Sequence, residues 1–214
     1  MKNLVVLVGK PGAGKGTRLS ELMETRGDDF EVVAVSSLLR NVRKDGGKLG
    51  KKIRGYMEAG ELVPDEIVNQ LVIETIKKSE KTVITDGFPR TVVQAQAMLD
   101  AGLFPTLMVC FDIDDDEVVR RASERLACAN CGETYTIGGF KPPKMHGICD
   151  KCGHELSRRP DDEEDKVRKR LEDYENKTLP VMSVLMRAGV EVKTIDCMKE
   201  GEVSRCFAEV MKDM

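Results

Sequence analysis

The segment GKPGAGKGT, which spans Gly9 to Thr17, holds the residue types that bind phosphate groups. It follows the apolar run NLVVLV and precedes a stretch of helical periodicity. Small residues let successive backbone N–H groups converge on phosphate oxygens, and some of these positions need a positive φ. A lysine and a helix N-terminus add positive charge. The pattern therefore predicts a nucleotide-phosphate loop. Its candidate ligands are Gly12, Ala13, Gly14, Lys15, Gly16 and Thr17.

A second motif, ITDGFPRT, covers Ile84 to Thr91 at the end of the third apolar run. In a parallel sheet that run ends near the phosphate loop, so Asp86 is expected to orient Mg²⁺ through the water molecules of the ion. Arg90 lies just beyond and can reach a second phosphate group. Together the two motifs predict a site for phosphoryl chemistry.

Four cysteines form a third motif, as two Cys-x-x-Cys pairs separated by seventeen residues: Cys128, Cys131, Cys149 and Cys152. This spacing is typical of a tetrahedral zinc site, and four thiolates leave no open position for a reacting water, so the metal is expected to be structural. A redox dithiol and a ligand role for His154 are the alternatives. The intervening segment is poor in large apolar residues and needs the metal to fold.

The elements that must position these motifs follow an α/β pattern. Fully apolar strands between helical segments predict a doubly wound parallel sheet of five strands around the phosphate loop. The predicted strands are 3–8, 30–35, 81–86, 106–113 and 190–196. The predicted helices are 15–26, 37–45, 48–58, 65–79, 91–101, 114–127, 161–188 and 200–213.

Two stretches interrupt this alternation, a pair of short helices from about 34 to 63 and the cysteine-rich loop. Both are expected to extend from the carboxyl edge of the sheet, where open α/β sheets bind ligands. The predicted core comprises 1–33, 64–123 and 163–214, with an acceptor-binding insert at 34–63 and a lid at 124–162.

The composition limits the class of protein. At 214 residues, with 41% hydrophobic and 33% charged residues, the chain is expected to form one globular unit. A net charge of −3 argues against general binding to nucleic acid or to acidic membranes. No signal segment or membrane span is predicted, so a cytoplasmic location is expected. The scattered Cys110, Cys197 and Cys206 are interpreted as buried thiols.

With these motifs, the chain resembles the adenylate kinases with a long lid. The similarity rests on GKPGAGKGT, on LLR at 38–40, on AGELVPDEIV at 59–68, on DGFPRTVVQAQAM at 86–98, and on RRPDDEEDKVRKRL at 158–171. It also includes the pair Arg121 and Arg125 and the motif FKPPK in the cysteine-rich lid. The resemblance implies transfer of the γ-phosphoryl group of MgATP to AMP by a monomer.

The resemblance also implies roles for residues. ATP should be held by the phosphate loop with Arg121, Arg125, Thr134, Tyr135 and Lys199. The acceptor should be held by Val35, Ser36, Arg40, Glu61, Leu62, Val63, Gly87, Phe88, Pro89, Arg90, Gln94, Arg159 and Arg170. Lys15, Asp86, Arg90, Arg125, Arg159 and Arg170 should surround the transferred group. A ring of cations is what a loose phosphoryl-transfer transition state requires, since its charge is spread over equatorial oxygens.

The segment VAVSSLLR departs from the family pattern, in which a Thr-Gly pair and an acid usually precede LLR. Val35, Ser36 and Ser37 stand in those positions, and Ser36 or Ser37 could cap the following helix. Thr136 and Lys141 replace the His and Asn often seen in the lid. Gln94 can hydrogen-bond a purine edge and favours AMP, with UMP, CMP or GMP as alternative acceptors. Two other classes stay open at this point, a nucleotide-binding regulator without turnover and a zinc module for nucleic acid.

Overall fold

A five-stranded parallel sheet forms the centre of the molecule. The computed structural model describes residues 3–58, 63–139, 141–158, 162–212 and 214. The strands are β1 (Leu4–Gly9), β2 (Phe30–Ala34), β3 (Thr82–Asp86), β4 (Leu107–Asp112) and β8 (Glu191–Asp196), in the order β2-β3-β1-β4-β8. The predicted α/β doubly wound fold is confirmed. Because β1 lies between β3 and β4, its carboxyl end is the switch point of the topology, where such sheets bind ligands.

Helices cover both faces of this sheet: α1 (Lys15–Arg26), α2 (Val35–Asp45), α3 (Lys48–Glu58), α4 (Asp65–Lys78), α5 (Val92–Asp100), α6 (Asp115–Glu124), α7 (Glu164–Asp173), α8 (Leu179–Arg187) and α9 (Glu200–Val210). Alternate residues of β1 enter two separate cores. Val5 and Leu7 pack with residues of α1, α6, α7 and α9, whereas Val6 and Val8 pack with residues of α4, α5 and α8. Burial on both faces explains why β1 and β4 are almost continuously apolar, whereas the edge strand β8, EVKTID, is largely exposed.

Two predicted helices are wrong in part. The helix expected over 114–127 ends at Glu124, and the next residues form β5 (Arg125–Cys128) of a small antiparallel sheet with β6 (Thr134–Thr136) and β7 (Leu156–Ser157). Pairing with β6 and burial of Leu126 in the lid outweigh the local helix propensity. The helix expected over 161–188 is interrupted by a π-helical segment, Tyr174–Thr178, just before Pro180, which has no N–H to donate. Residue 161 lies outside the described residues.

The start of α2 also differs from expectation. The helix begins at Val35, and its N-cap is Ala34, which makes no side-chain capping hydrogen bond. Ser36 and Ser37 therefore lie inside the first turn, and the prediction that one of them caps the helix is wrong. The hydroxyl of Ser37 instead accepts a hydrogen bond from the guanidinium of Arg40 at 3.0 Å.

Helices α2 and α3 pack closely because Gly50 has no side chain. A Cβ built at Gly50 would lie 2.4 Å from the carbonyl oxygen of Val42 in α2. Gly55, on the same helix, has open space at its Cβ position. Ile53, between them, is fully buried. The packing of α2 against α3 thus depends on the close approach of their backbones at Gly50.

These two glycines give a matched pair of substitutions. Gly50→Ala should lower the free energy of unfolding by about 1–3 kcal/mol, because α3 must move away from α2. Gly55→Ala should raise it by about 0.5–1 kcal/mol, because alanine costs less backbone entropy in an exposed helix. Denaturant unfolding measures both values, and amide hydrogen exchange of α2 and α3 locates the change. Equal effects of the two substitutions would contradict the packing described.

Candidate active site

The phosphate loop connects β1 to α1 and has the conformation that its glycines allow. Gly12 and Gly14 have φ values of 85° and 90°, and Gly14 is the left-handed N-cap of α1. The N–H of Ala13 donates to the carbonyl of Lys10 at 3.2 Å, which closes the turn. A Cβ at Gly14 or Gly16 would meet no atom within 4 Å. The first turn of α1, with Lys15, Gly16 and Thr17, therefore begins beside open space.

The side chain of Lys15 is hydrogen-bonded to the backbone of its own loop. Its Nζ donates to the carbonyl oxygens of Gly9 at 2.6 Å and Lys10 at 3.0 Å. Burial lowers the pKa of Lys15 to about 8, the charge of Asp86 raises it, and the charge of Arg90 lowers it further. Lys15, Asp86 and Arg90 are therefore close enough for their charges to act on one another. The sheet explains this, because Asp86 is paired with Leu7, two residues before Gly9.

The loop after β3 is shaped by Gly87, whose φ is 80°. A Cβ there would lie 2.7 Å from a guanidinium nitrogen of Arg90, so the arginine folds back over the glycine backbone. Phe88 is fully buried, and the peptide bond between Phe88 and Pro89 is cis. Burial of Phe88 anchors the loop, and the exposed Arg90 lies against Gly87.

Two of the acceptor candidates, Val35 and Val63, pack in the same core cluster as Phe88 of that loop. Val35 is buried, Ser36 and Arg40 are exposed, and Val63 is half-buried. The side chain of Gln94 is buried in hydrogen bonds with the backbone N–H of Arg90 and with Asp65. Glu61 and Leu62 lie outside the described residues.

A second cationic group joins α6 to the loop after β8. Arg121 donates to Glu117 and to the carbonyl oxygen of Cys197, each at 2.8 Å. Lys199 is exposed two residues later, with its Nζ 3.4 Å from Asp196. These contacts bring the predicted nucleotide ligands Arg121 and Lys199 to one region of the sheet edge.

Arg125 and Arg170 share one carboxylate. Arg125 donates through Nε to Asp162 at 2.8 Å and makes a second contact through Nη2, and Arg170 lies 3.3 Å from the same side chain. Burial alone would raise the pKa of Asp162, but the hydrogen bond and charge of Arg125, together with Arg170, hold it below its usual value. Asp162 therefore connects Arg125, at the start of the lid, to Arg170 of α7. Arg159, expected beside them, lies outside the described residues.

The four cysteines of the lid form one cluster. Their Sγ atoms all lie within 4.8 Å of one another, and the pairs 128/152 and 131/149 are 3.4 and 3.5 Å apart. Each Cys-x-x-Cys pair is followed by a glycine of positive φ, Gly132 or Gly153, whose N–H donates to the first cysteine's carbonyl. Four sulfurs at this spacing suit a tetrahedral metal ion with bonds of about 2.3 Å. The cluster can therefore bind a metal.

His154 and Tyr135 lie next to the cluster, and both make contacts that the sequence did not indicate. His154, considered as an alternative ligand, does not belong to the cluster, and its ring contacts the carbonyl of Cys152 at 3.0 Å. Tyr135 is buried in the lid core, where its hydroxyl accepts from the N–H of Asp150 at 2.9 Å. A contact of Tyr135 with ATP would therefore involve its backbone. The side chain of Thr134 is half-buried and so remains partly accessible.

A family model described as adenylate kinase matches residues 7–190 of the chain. The chain belongs to the adenylate kinase family. It is therefore an enzyme of the nucleoside monophosphate kinase class. The alternatives of a kinase for another nucleoside monophosphate and of a regulator without turnover are not favoured.

Curated relatives support the same family over nearly the whole chain. An adenylate kinase of Methanococcoides burtonii is 37% identical, over 98% of this chain and 97% of the relative. One of Rhizorhabdus wittichii is 39% identical, over 97% and 98%. One of Thermotoga neapolitana is 40% identical, over 92% and 90%. Within the described residues, none of the helices combines the length and the hydropathy that a bilayer crossing requires.

Two acids that contact candidate site residues were not predicted from the sequence. Asp162 binds two of the predicted catalytic arginines, yet in the sequence it is one of several acids in DDEED. Asp65 binds Gln94 but reads as a helix N-terminal acid. The quoted family motifs contain both residues, and that was the one available signal.

The lowered pKa of Lys15 predicts how the affinity for MgATP depends on pH. Lys15 is charged at pH 7 and loses its proton above pH 8, and a bound triphosphate favours the charged form. Affinity should therefore fall above pH 8, by at most about tenfold per pH unit. Calorimetry between pH 7 and 9.5 measures this fall.

Lys15→Arg is the control for this measurement, because a guanidinium keeps its charge throughout this range. Its affinity, whatever the absolute value, should not show the decline. An affinity of the unmodified protein that stays constant up to pH 9.5 would contradict the assignment.

Proposed function

We propose that this chain catalyses the reversible transfer of the γ-phosphoryl group of MgATP directly to AMP, giving two ADP. The observation that carries this proposal is the gathering of Lys15, Asp86 and Arg90 at the switch point of the sheet, in a chain of this family. The three residues come from two loops that meet only in the fold.

The donor nucleotide would be held by the core. The N–H groups of Gly12 to Thr17 and the positive end of α1 suit the β- and γ-phosphates. Lys15 would exchange its two backbone carbonyl acceptors for phosphate oxygens. Arg121 and Lys199 would contact the base and the sugar side. Asp86 would orient the waters of the Mg²⁺ ion that ATP brings.

The acceptor would lie between the insert and the loop after β3. Arg40 and Arg90 are the candidates for its phosphate, and Arg170 and Arg159 would reach it from the lid side. Val35, Ser36, the backbone at 61–63 and the segment Gly87 to Pro89 would form its walls, and Gln94 would face the base.

Transfer itself needs positioned charge more than proton chemistry. A loose transition state spreads negative charge over the equatorial oxygens, and planar guanidinium groups match that geometry. Arg125 and Arg170 are already paired through Asp162, which fixes where their charges point. Closure of the lid at 124–162 and of the insert at 34–63 over the core would exclude water, which competes as an acceptor.

We propose that the metal of the lid is Zn²⁺ and that it is structural. Among the described residues of the lid, the buried cluster contains Leu126, Tyr135 and Leu156 as its only large side chains apart from the cysteines. When bound, the ion would supply the folding free energy of this small sheet. We also propose that the enzyme works as a monomer in the cytoplasm without nucleic-acid or membrane partners, consistent with its net charge of −3.

An acceptor panel tests the reaction. The purified protein is incubated with MgATP and, separately, with AMP, GMP, CMP and UMP, and the diphosphates are separated by chromatography. ADP should form fastest with AMP, with a stoichiometry of two ADP for each ATP consumed. Fastest turnover with UMP, CMP or GMP would reassign the acceptor, and no product with any of the four would refute the kinase proposal.

Removal of the metal tests the lid. The protein should contain about one zinc ion per chain. Cys149→Ser should reduce the zinc content, lower the turnover number and unfold the lid at a lower temperature, because a tetrahedral site loses one of four thiolates. Elemental analysis and thermal unfolding measure these changes.

Cys206→Ser is the matched control, because Cys206 is a half-buried thiol of α9 outside the cluster. It should retain the zinc and the activity of the unmodified protein. Full activity and unchanged melting of Cys149→Ser would contradict a structural metal.

A further inference from the structure

Gln94 belongs to a closed hydrogen-bond network that joins α4 to α5. Its Nε2 donates to Oδ1 of Asp65 at 2.7 Å, and its Oε1 accepts from the backbone N–H of Arg90 at 2.7 Å. The hydroxyl of Thr91 donates to Oδ2 of Asp65 at 2.8 Å and accepts from the backbone N–H of Gln94 at 3.1 Å. Gln94 is only 5% exposed, so these protein groups and not solvent determine its conformation.

Every hydrogen bond of this network has a fixed direction. The backbone N–H groups of Arg90 and Gln94 can only donate, and a carboxylate can only accept. The oxygen of the Gln94 amide must therefore face Arg90, and its nitrogen must face Asp65. A rotated amide would place two donors against each other at Arg90 and two acceptors against each other at Asp65. The network thus selects one of two amide orientations that are otherwise similar in shape.

The network leaves the Gln94 amide with one unused N–H and at least one unused lone pair. A side-chain amide offers two donors and two acceptor lone pairs, and Asp65 and Arg90 take one of each. One donor and one acceptor side by side match the edge of a purine. The order in which they stand decides which purine they match.

Adenine and hypoxanthine present opposite patterns at this edge. In adenine the 6-amino group donates and N1 accepts, whereas in hypoxanthine the 6-oxo group accepts and N1–H donates. A freely rotating glutamine can pair with either base, but a glutamine of fixed orientation pairs with one and leaves unmatched groups against the other. Unmatched buried polar groups are a strong source of discrimination.

The place of the network fits this role. Asp65 is the first residue of α4, two residues after Val63 at the exit of the insert, and Arg90 ends the loop that begins at Gly87. Both flank the proposed acceptor site. The network therefore connects the two segments that would hold the acceptor to the residue that would face its base.

We infer that Asp65 is a positioning residue that fixes the amide orientation of Gln94 and thereby makes the enzyme prefer a 6-amino over a 6-oxo purine monophosphate. This inference rests on the proposed function, because it assumes that Gln94 faces the acceptor base. Asp65 acts through Gln94 and makes no contact with substrate itself.

The test compares AMP with IMP, which differ only in this edge of the base. The values of kcat/KM for the two acceptors are measured with saturating MgATP for the unmodified protein and for Asp65→Asn and Asp65→Ala. Asp65→Asn keeps the shape of the side chain and offers one acceptor oxygen to two donors. Asp65→Ala removes both acceptors. Circular dichroism and thermal unfolding establish that each variant is folded.

The unmodified protein should prefer AMP. Both variants should lower the ratio of kcat/KM for AMP over IMP, by about tenfold for Asp65→Ala, the effect of one lost hydrogen bond. The KM for ATP should not change. The matched control is Asp100→Ala. Asp100 accepts a hydrogen bond from Nε2 of Gln96 at 2.8 Å on the exposed side of α5, the helix that also contains Gln94. This substitution should leave the ratio unchanged.

Three results would overturn the inference: no preference of the unmodified protein for AMP over IMP, an unchanged ratio in a folded Asp65 variant, or an equal loss for both acceptors, which indicates a merely structural role. The proposed function fails separately, if the unmodified protein makes no ADP from AMP. The ratio and the basal reaction therefore distinguish the two failures.

Discussion

Positive charge concentrated at one edge of the sheet is the constraint on which the rest of the molecule depends. Lys15 lies in partly buried surroundings that lower its pKa to about 8, so its charge is costly to hold before a phosphate arrives. The protein offsets this cost locally, with two backbone carbonyls and the nearby Asp86 for Lys15, and with Asp162 for Arg125 and Arg170. In the proposed function, the sheet, the insert and the lid bring these cations to one place and keep water out.

Acids have two different tasks in this arrangement. Asp162 accepts hydrogen bonds from two arginines, whereas Asp65 accepts one from a neutral amide. Both are partly or fully shielded, so their hydrogen bonds are more directional than those of exposed ion pairs. The exposed pairs of the helices, such as Lys177 with Asp173, serve solvation and contribute little to the site.

The sequence was sufficient for the strands, the phosphate loop and the cysteine cluster, because each depends on a local pattern. Short β-branched runs predicted all five strands of the main sheet, and the spacing of the cysteines predicted their cluster. It failed at residues 125–127, where RLA has no helix breaker and pairing with residues 134–136 decides the structure. Asp162 and Asp65 were also missed, because their partners lie 37 and 29 residues away and only the fold brings them together.

The contacts of Arg121 place its guanidinium on the core and not on the lid. Its guanidinium is bound to Glu117 of α6 and to a backbone carbonyl after β8, both of which belong to the core. A base resting on that guanidinium would sit on a stationary platform and would not travel with the flap. Capture of the donor base would then not depend on the position of the lid, so ATP would dock on the core first and the lid would close over its phosphates afterwards.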